Sequence, residues 1–184
     1  AAMLAAVFAL LPSSASAAKR GDVRASTGGV SPDDPKYRPA KKAKLVNGFA
    51  IAPKGAPKPV RKAIRAANEI NGMPYKYGGG HASFPRDNGY GCSDTVSYVL
   101  YKAGLLGGKT PLDSGSFMRW GKKGKGKWIT VYTNPGHAYI MIAGLRFDTG
   151  FRDNTVRGLH PGRGPRWGKK RSTRGFVARA PRGY

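Results

Sequence analysis

Apolar residues recur along this chain with two distinct periods. Between residues 58 and 71, Val60, Ile64, Ala67 and Ile70 repeat at steps of three and four, which is one face of a helix. Pro59 suits its first turn and Gly72 ends it. Arg61, Lys62 and Arg65 lie off the stripe and read as a solvated face. A second stripe, Cys92, Val96, Val99, Leu100, Ala103 and Leu106, predicts an amphipathic helix that starts at or near Cys92 and stops at Gly107 and Gly108. Ser114 or Ser116 is placed to cap a short helix carrying Phe117 and Trp120. The period then falls to two. Residues 128–133 and 137–143 predict strands around an Asn134-Pro135-Gly136 turn, and Gly144 turns the chain into a third strand at 145–148. Residues 122–127 (KKGKGK) and 151–170 read as basic loops, and 172–180 as a last edge strand. Helices first and a meander after give an α+β fold, with the N-terminal helices packed on an antiparallel β-sheet.

The ends of the chain differ from this middle. Residues 1–17 hold an apolar run over 3–11, then Pro12 and an Ala15-Ser16-Ala17 triplet. That is the pattern of a secretory signal peptide with its positive start missing, and the run is too short to span a bilayer. Residues 18–57 are rich in Pro, Gly, Lys and Arg and read as a linker; within them 46–53 (VNGFAIAP) is a short segment able to pair at the domain's edge. Residues 58–184 form one domain with a basic C-terminal segment. Thirty-three Lys and Arg against 9 acids give a net charge of +24. Such a charge favours polyanionic surroundings: an anionic cell-wall polymer, an anionic lipid surface or, non-specifically, nucleic acid. It says nothing about fold. The chain is expected to be secreted, wall-associated and monomeric.

The candidate chemistry centres on the single cysteine. Cys92 follows a glycine-rich loop (Gly78, Gly79, Gly80, Gly89, Gly91) and opens the central helix. Free N–H groups and the positive end of the helix dipole there favour a thiolate, the form a cysteine nucleophile needs. The plainer reading, a small buried hydrophobe on a core stripe, is the usual one for a lone cysteine. His137 begins a strand, and Asp148 lies eleven residues on. Across a hairpin centred on Ala143-Gly144 the two come close to facing each other, and a carboxylate beside an imidazole fixes its tautomer. Taken singly, His137 reads as a turn histidine and Asp148 as a strand-end cap. His81, in the glycine loop, is placed to line the site, whereas His160 sits in a basic loop. One cysteine and three scattered histidines match no metal-ligand spacing, so neither a metal nor another cofactor is expected.

The blocks YKYGGGH, GYGCSD and GHAYI, with a polar residue a dozen positions after the histidine, resemble the NlpC/P60 cysteine peptidases, bacterial cell-wall hydrolases with a papain-like α+β core. The resemblance covers residues 59–148. It implies Cys92 as nucleophile, His137 as base and Asp148 as the third polar residue. It also implies Tyr75 near the scissile carbonyl. His81 and Ser93, beside the cysteine, are expected to line the oxyanion or substrate side. The implied substrate is the stem peptide of peptidoglycan. One departure stands out. Where the family reads Asp-Cys-Ser-Gly, this chain reads Gly91-Cys92-Ser93-Asp94. The aspartate that orders the family's loop is missing, and Asp94 brings a negative charge that is expected to raise the thiol pKa. Two functions follow as expectations: a thiol hydrolase of peptidoglycan peptides, or a catalytically weakened or dead module that binds polyanionic wall or nucleic acid. A thiol dyad on another amide, or in acyl transfer, is a third, because a fold does not set its substrate.

Overall fold

The computed structural model describes residues 42–81, 84, 86–151 and 164–184. The proposed signal peptide and His160 lie outside these residues. The described chain is the α+β arrangement expected. Helices α1 (Lys58–Ile70), α2 (Cys92–Lys102) and α3 (Ser114–Phe117) precede a six-stranded sheet. Its strands are β3 (Lys122–Lys123), β4 (Ile129–Asn134), β5 (His137–Ile142), β6 (Leu145–Asp148), β7 (Arg166–Gly168) and β8 (Val177–Ala180), in the order β3-β8-β4-β5-β6-β7. Every pairing in it is antiparallel. Among the described residues no helix is long and apolar enough to cross a membrane.

Alternation along the strands decides which face the helices cover. Ile129 and Val131 of β4, Ile140 and Ile142 of β5, and Phe147 of β6 are all fully buried. They meet Val60, Ile64 and Ile70 of α1 and Val96, Val99 and Leu100 of α2 in one core. Each such side chain contributes about 1.5–3 kcal/mol by leaving water. Helix α2 packs on both α1 and β5. Its first turn is thereby held against the strand that begins at His137.

Several boundaries differ from the sequence reading, each for a local reason. Helix α2 ends one turn before Gly107. Gly104, at φ 73°, lets the chain reverse, with Gly104 N–H bonded to the Tyr101 carbonyl and Leu105 N–H to the Leu100 carbonyl. That is a Schellman closure, so Leu106 reaches the core from beyond the helix. The cap of α3 is Asp113, whose Oδ1 accepts from Ser116 N–H at 2.6 Å; neither serine caps it. Residues 122–123, read as loop, pair with β8. That strand lies between β3 and β4 instead of at the edge. The basic loop expected over 151–170 contains β7, whose Trp167 packs on Phe147 with ring centroids 4.8 Å apart.

The stretch expected to be linker is structured from its described start. β1 (Lys44–Val46) and β2 (Phe49–Ile51) form a hairpin. Ala43, Ala50 and Ala56 sit in the core. The side chain of Asn68 in α1 bonds both backbone groups of Ala50 (3.0 and 2.9 Å) and accepts from Trp167 Nε1 at 2.7 Å. One amide thus ties the hairpin, α1 and β7 together, a long-range arrangement that local composition does not reveal.

Candidate active site

Gly91, with extended backbone, is the N-cap of α2, and Cys92 is the first helical residue. The N–H groups of this first turn have no partner within the helix. The Gly91 carbonyl accepts from both the backbone N–H and the hydroxyl of Thr95 (3.1 and 2.7 Å). The glycine loop lies alongside: Tyr90 N–H bonds the Pro74 carbonyl, Lys76 N–H the Tyr90 carbonyl, and Gly91 N–H the Gly79 carbonyl. Tyr75 pairs with Tyr90 in an isolated parallel bridge. Only glycine fits at position 79, because a Cβ there would strike the Gly89 carbonyl oxygen.

His137 and Asp148 share the sheet face opposite the helices. Ile140 pairs with Phe147, which sets Asp148 across from Tyr139 and makes His137 its diagonal neighbour. His137 Nε2 and Asp148 Oδ1 are 2.8 Å apart. Asp148 is fully buried at its side chain and is also bonded by Gly150 N–H (2.9 Å), with Arg146 and Arg171 each 3.4 Å from Oδ2. Burial opposes its charge, but His137, Gly150 N–H and Arg146 together hold its pKa below the usual carboxylate range. Phe176 meets the His137 ring edge-on at 6.3 Å.

The second nitrogen of His137 is left for Cys92, to which the ring is hydrogen-bonded. Burial disfavours the imidazolium, yet the bonds to Asp148 and Cys92 raise the His137 pKa to about 9. Burial likewise works against the thiolate, but the His137 bond and the backbone N–H groups of Ala138 and Ser93 bring the Cys92 pKa below its ordinary value. The two shifts have opposite signs, which favours a thiolate–imidazolium pair. The rise in thiol pKa expected from Asp94 is therefore not the net result.

Asp94 has its own partner. Its carboxylate is buried, with Oδ1 2.7 Å from His81 Nδ1. Burial raises its pKa against the bond to His81. The carboxylate fills the space beside Gly91, where a side chain would collide with Oδ2. His81 thus serves the glycine loop and Asp94, with its own side chain half-exposed. Ser93 presents a backbone N–H toward the cysteine sulfur. Nothing in the residue pattern marks Ala138 N–H, Arg171 or Phe176 as parts of this site. Arg171 belongs to a Gly- and Lys-rich stretch with no period, and a backbone donor has no residue signature. Among the described residues no group of three or more His, Cys, Asp or Glu is placed to hold a metal.

Asp148→Asn is expected to lower turnover about 10- to 100-fold, because an amide oxygen still accepts from Nε2–H but no longer stabilises the imidazolium. The same change leaves the two arginines without their carboxylate. Urea unfolding should then show a loss of roughly 3 kcal/mol, as breaking a buried pair does.

No protein-family model matches the chain, and no curated protein does. Among solved structures, the chain is similar to a variant of the Resuscitation Promoting Factor Interacting protein RipA mutated at one histidine, with 22% identity over 85% of this chain and 77% of that one, at a TM-score of 0.48. A hypothetical invasion protein of Mycobacterium tuberculosis gives 22% identity over 77% and 69% of the two chains, with a TM-score of 0.45. RipD of the same organism, described as a non-catalytic NlpC/p60 domain protein adapted to peptidoglycan binding, gives 17% identity over 68% and 98%, with a TM-score of 0.46. The domain family named for RipD is the group that the sequence motifs resemble.

Proposed function

We propose that the chain is a secreted thiol hydrolase that cleaves amide bonds in peptidoglycan stem peptides. The observation that carries the chemistry is His137, bonded on one side to buried Asp148 and on the other to Cys92 at the start of α2. The substrate class is the one that the motif resemblance implies, and export follows the signal-like run at 1–17. In the reaction, the Cys92 thiolate attacks the amide carbonyl carbon. The oxyanion takes the Cys92 N–H at the helix start, with Tyr75 as a second donor. His137 gives its proton to the leaving amine as the carbon–nitrogen bond breaks. A water that loses its proton to His137 then hydrolyses the thioester. Digestion of purified peptidoglycan, with mass analysis of released peptides, tests the proposal. New amine and carboxyl ends at one defined peptide bond are expected, and none in the Cys92→Ala variant.

A second reading, a wall-binding module without turnover, draws on the exchange of glycine and aspartate about Cys92 and on the charge of +24. The same digestion separates the two readings: retention on wall with no new peptide ends favours the module.

The paired shifts set the pH dependence. The active form carries a thiolate and an imidazolium, so it exists above the lowered Cys92 pKa and below the His137 value of about 9. kcat/KM should be bell-shaped. Its acid limb should lie below the range of an ordinary thiol and its alkaline limb near pH 9. A profile that keeps rising beyond pH 9 would mean a free thiol with no pairing to His137.

A further inference from the structure

A cavity of about 290 Å³ lies on the sheet face away from the helices. Its walls include Lys125, Lys127, Lys170 and Arg171, together with Tyr132 and Tyr139. None of its lining residues is acidic. Arg171 does have a carboxylate, but Asp148 holds it from the side of the site already described. The three exposed lysines have no carboxylate in the cavity wall, and an anion among them would offset their mutual repulsion.

The second observation concerns Tyr139. It is 1% exposed, and its hydroxyl is buried with no hydrogen-bond partner among the described residues. Burial pushes its pKa up to about 12, so it remains a neutral donor. A phenol with no partner destabilises a fold, and phenylalanine would fill the same space without that cost. Thr130 adds a hydroxyl whose oxygen already accepts from Gly126 N–H at 3.1 Å, which leaves its proton to donate. Neutral donors and cations with no acceptor charge suit an oxyanion. The lysines act as point charges for phosphate, and Arg171 supplies a planar fork.

We propose that this cavity is a phosphate-binding site, distinct from Cys92, in which the Tyr139 hydroxyl donates to the phosphate and Lys127 and Lys170 neutralise it. The proposal stands whether or not Cys92 turns over substrate. Calorimetric titration of the full chain with inorganic phosphate and with glycerol 3-phosphate, at physiological salt, tests it. One equivalent is expected to bind. Tyr139→Phe should weaken binding about tenfold or more, as loss of a bond to a charged group does, with a Tm equal to or above wild type. Lys127→Ala with Lys170→Ala should also weaken it at least about tenfold. Lys58→Ala with Lys62→Ala removes the same charge from the exposed face of α1 and should change it less than about twofold, because a distant surface charge is screened. Tighter binding of the ester than of the free ion assigns the site to a phosphate carried on a polyol; equal binding assigns it to free phosphate. Binding of neither, equal loss in both lysine pairs, or wild-type affinity in Tyr139→Phe overturns the proposal.

Discussion

Cys92→Ala should abolish peptide release from peptidoglycan, a fall of at least about 10⁴-fold, while unfolding free energy changes by no more than about 1 kcal/mol. Cys92 is only partly buried, so removing its sulfur opens no large void. What disappears is the atom that accepts from the Ser93 and Ala138 N–H groups and pairs with His137. His137→Ala should cost nearly as much, because nucleophile and base act as one unit and their losses do not add. The two variants differ in a second measurement. Iodoacetamide should alkylate Cys92 of the wild type readily at pH 6–7, since only the thiolate reacts. In His137→Ala the Cys92 pKa should move back up toward the range of an ordinary thiol, because the bond that lowers it is gone, and the rate at pH 6 should drop by about tenfold or more. Turnover that survives Cys92→Ala would end the thiol mechanism.

The parts of this site that were legible in the sequence are those fixed by local pattern. Gly91 before a stripe beginning at Cys92 marks a helix start, and α2 begins there. The count from His137 to Asp148 across Ala143-Gly144 put the two near each other; the register makes them diagonal, with both side chains on one face. What was not legible depends on pairing at a distance. Arg166, Trp167 and Gly168 carry no strand period, yet they complete the sheet because Phe147 offers Trp167 an apolar neighbour and β6 offers an open edge. Lys122 and Lys123 look like solvated loop and remain exposed; their backbones, which do not depend on the side chains, pair with β8. Asp94 was legible as a charge beside the thiol but not as the partner of His81. That bond depends on how the glycine loop folds back over α2.

That bond also changes what is expected of the exchange about Cys92. The Asp94 carboxylate is buried, bonded to His81 Nδ1, and lies where a side chain on residue 91 would point. From the far side of the cysteine it supplies the loop-holding carboxylate that the family's pattern places before it. Gly91→Asp alone should therefore not raise turnover. It would force two carboxylates into one buried space, costing roughly 2–4 kcal/mol through crowding and like charge. The first turn of α2 would shift with them. Turnover should fall about 10³-fold, because small displacements of a nucleophile are expensive. Asp94→Gly alone leaves His81 and the loop without their anchor and should cost less, about tenfold in turnover. The double variant moves the carboxylate without adding a second one, so its losses in stability and alkylation rate should be smaller than the two single losses added together. A coupling free energy of about 1–3 kcal/mol is expected, the range of residues in direct contact. Urea unfolding and iodoacetamide rates on the four proteins measure it with no substrate needed. Strictly additive losses would show that Asp94 and position 91 act separately; a gain of activity in Gly91→Asp alone would show that the loop lacks a carboxylate which Asp94 does not replace.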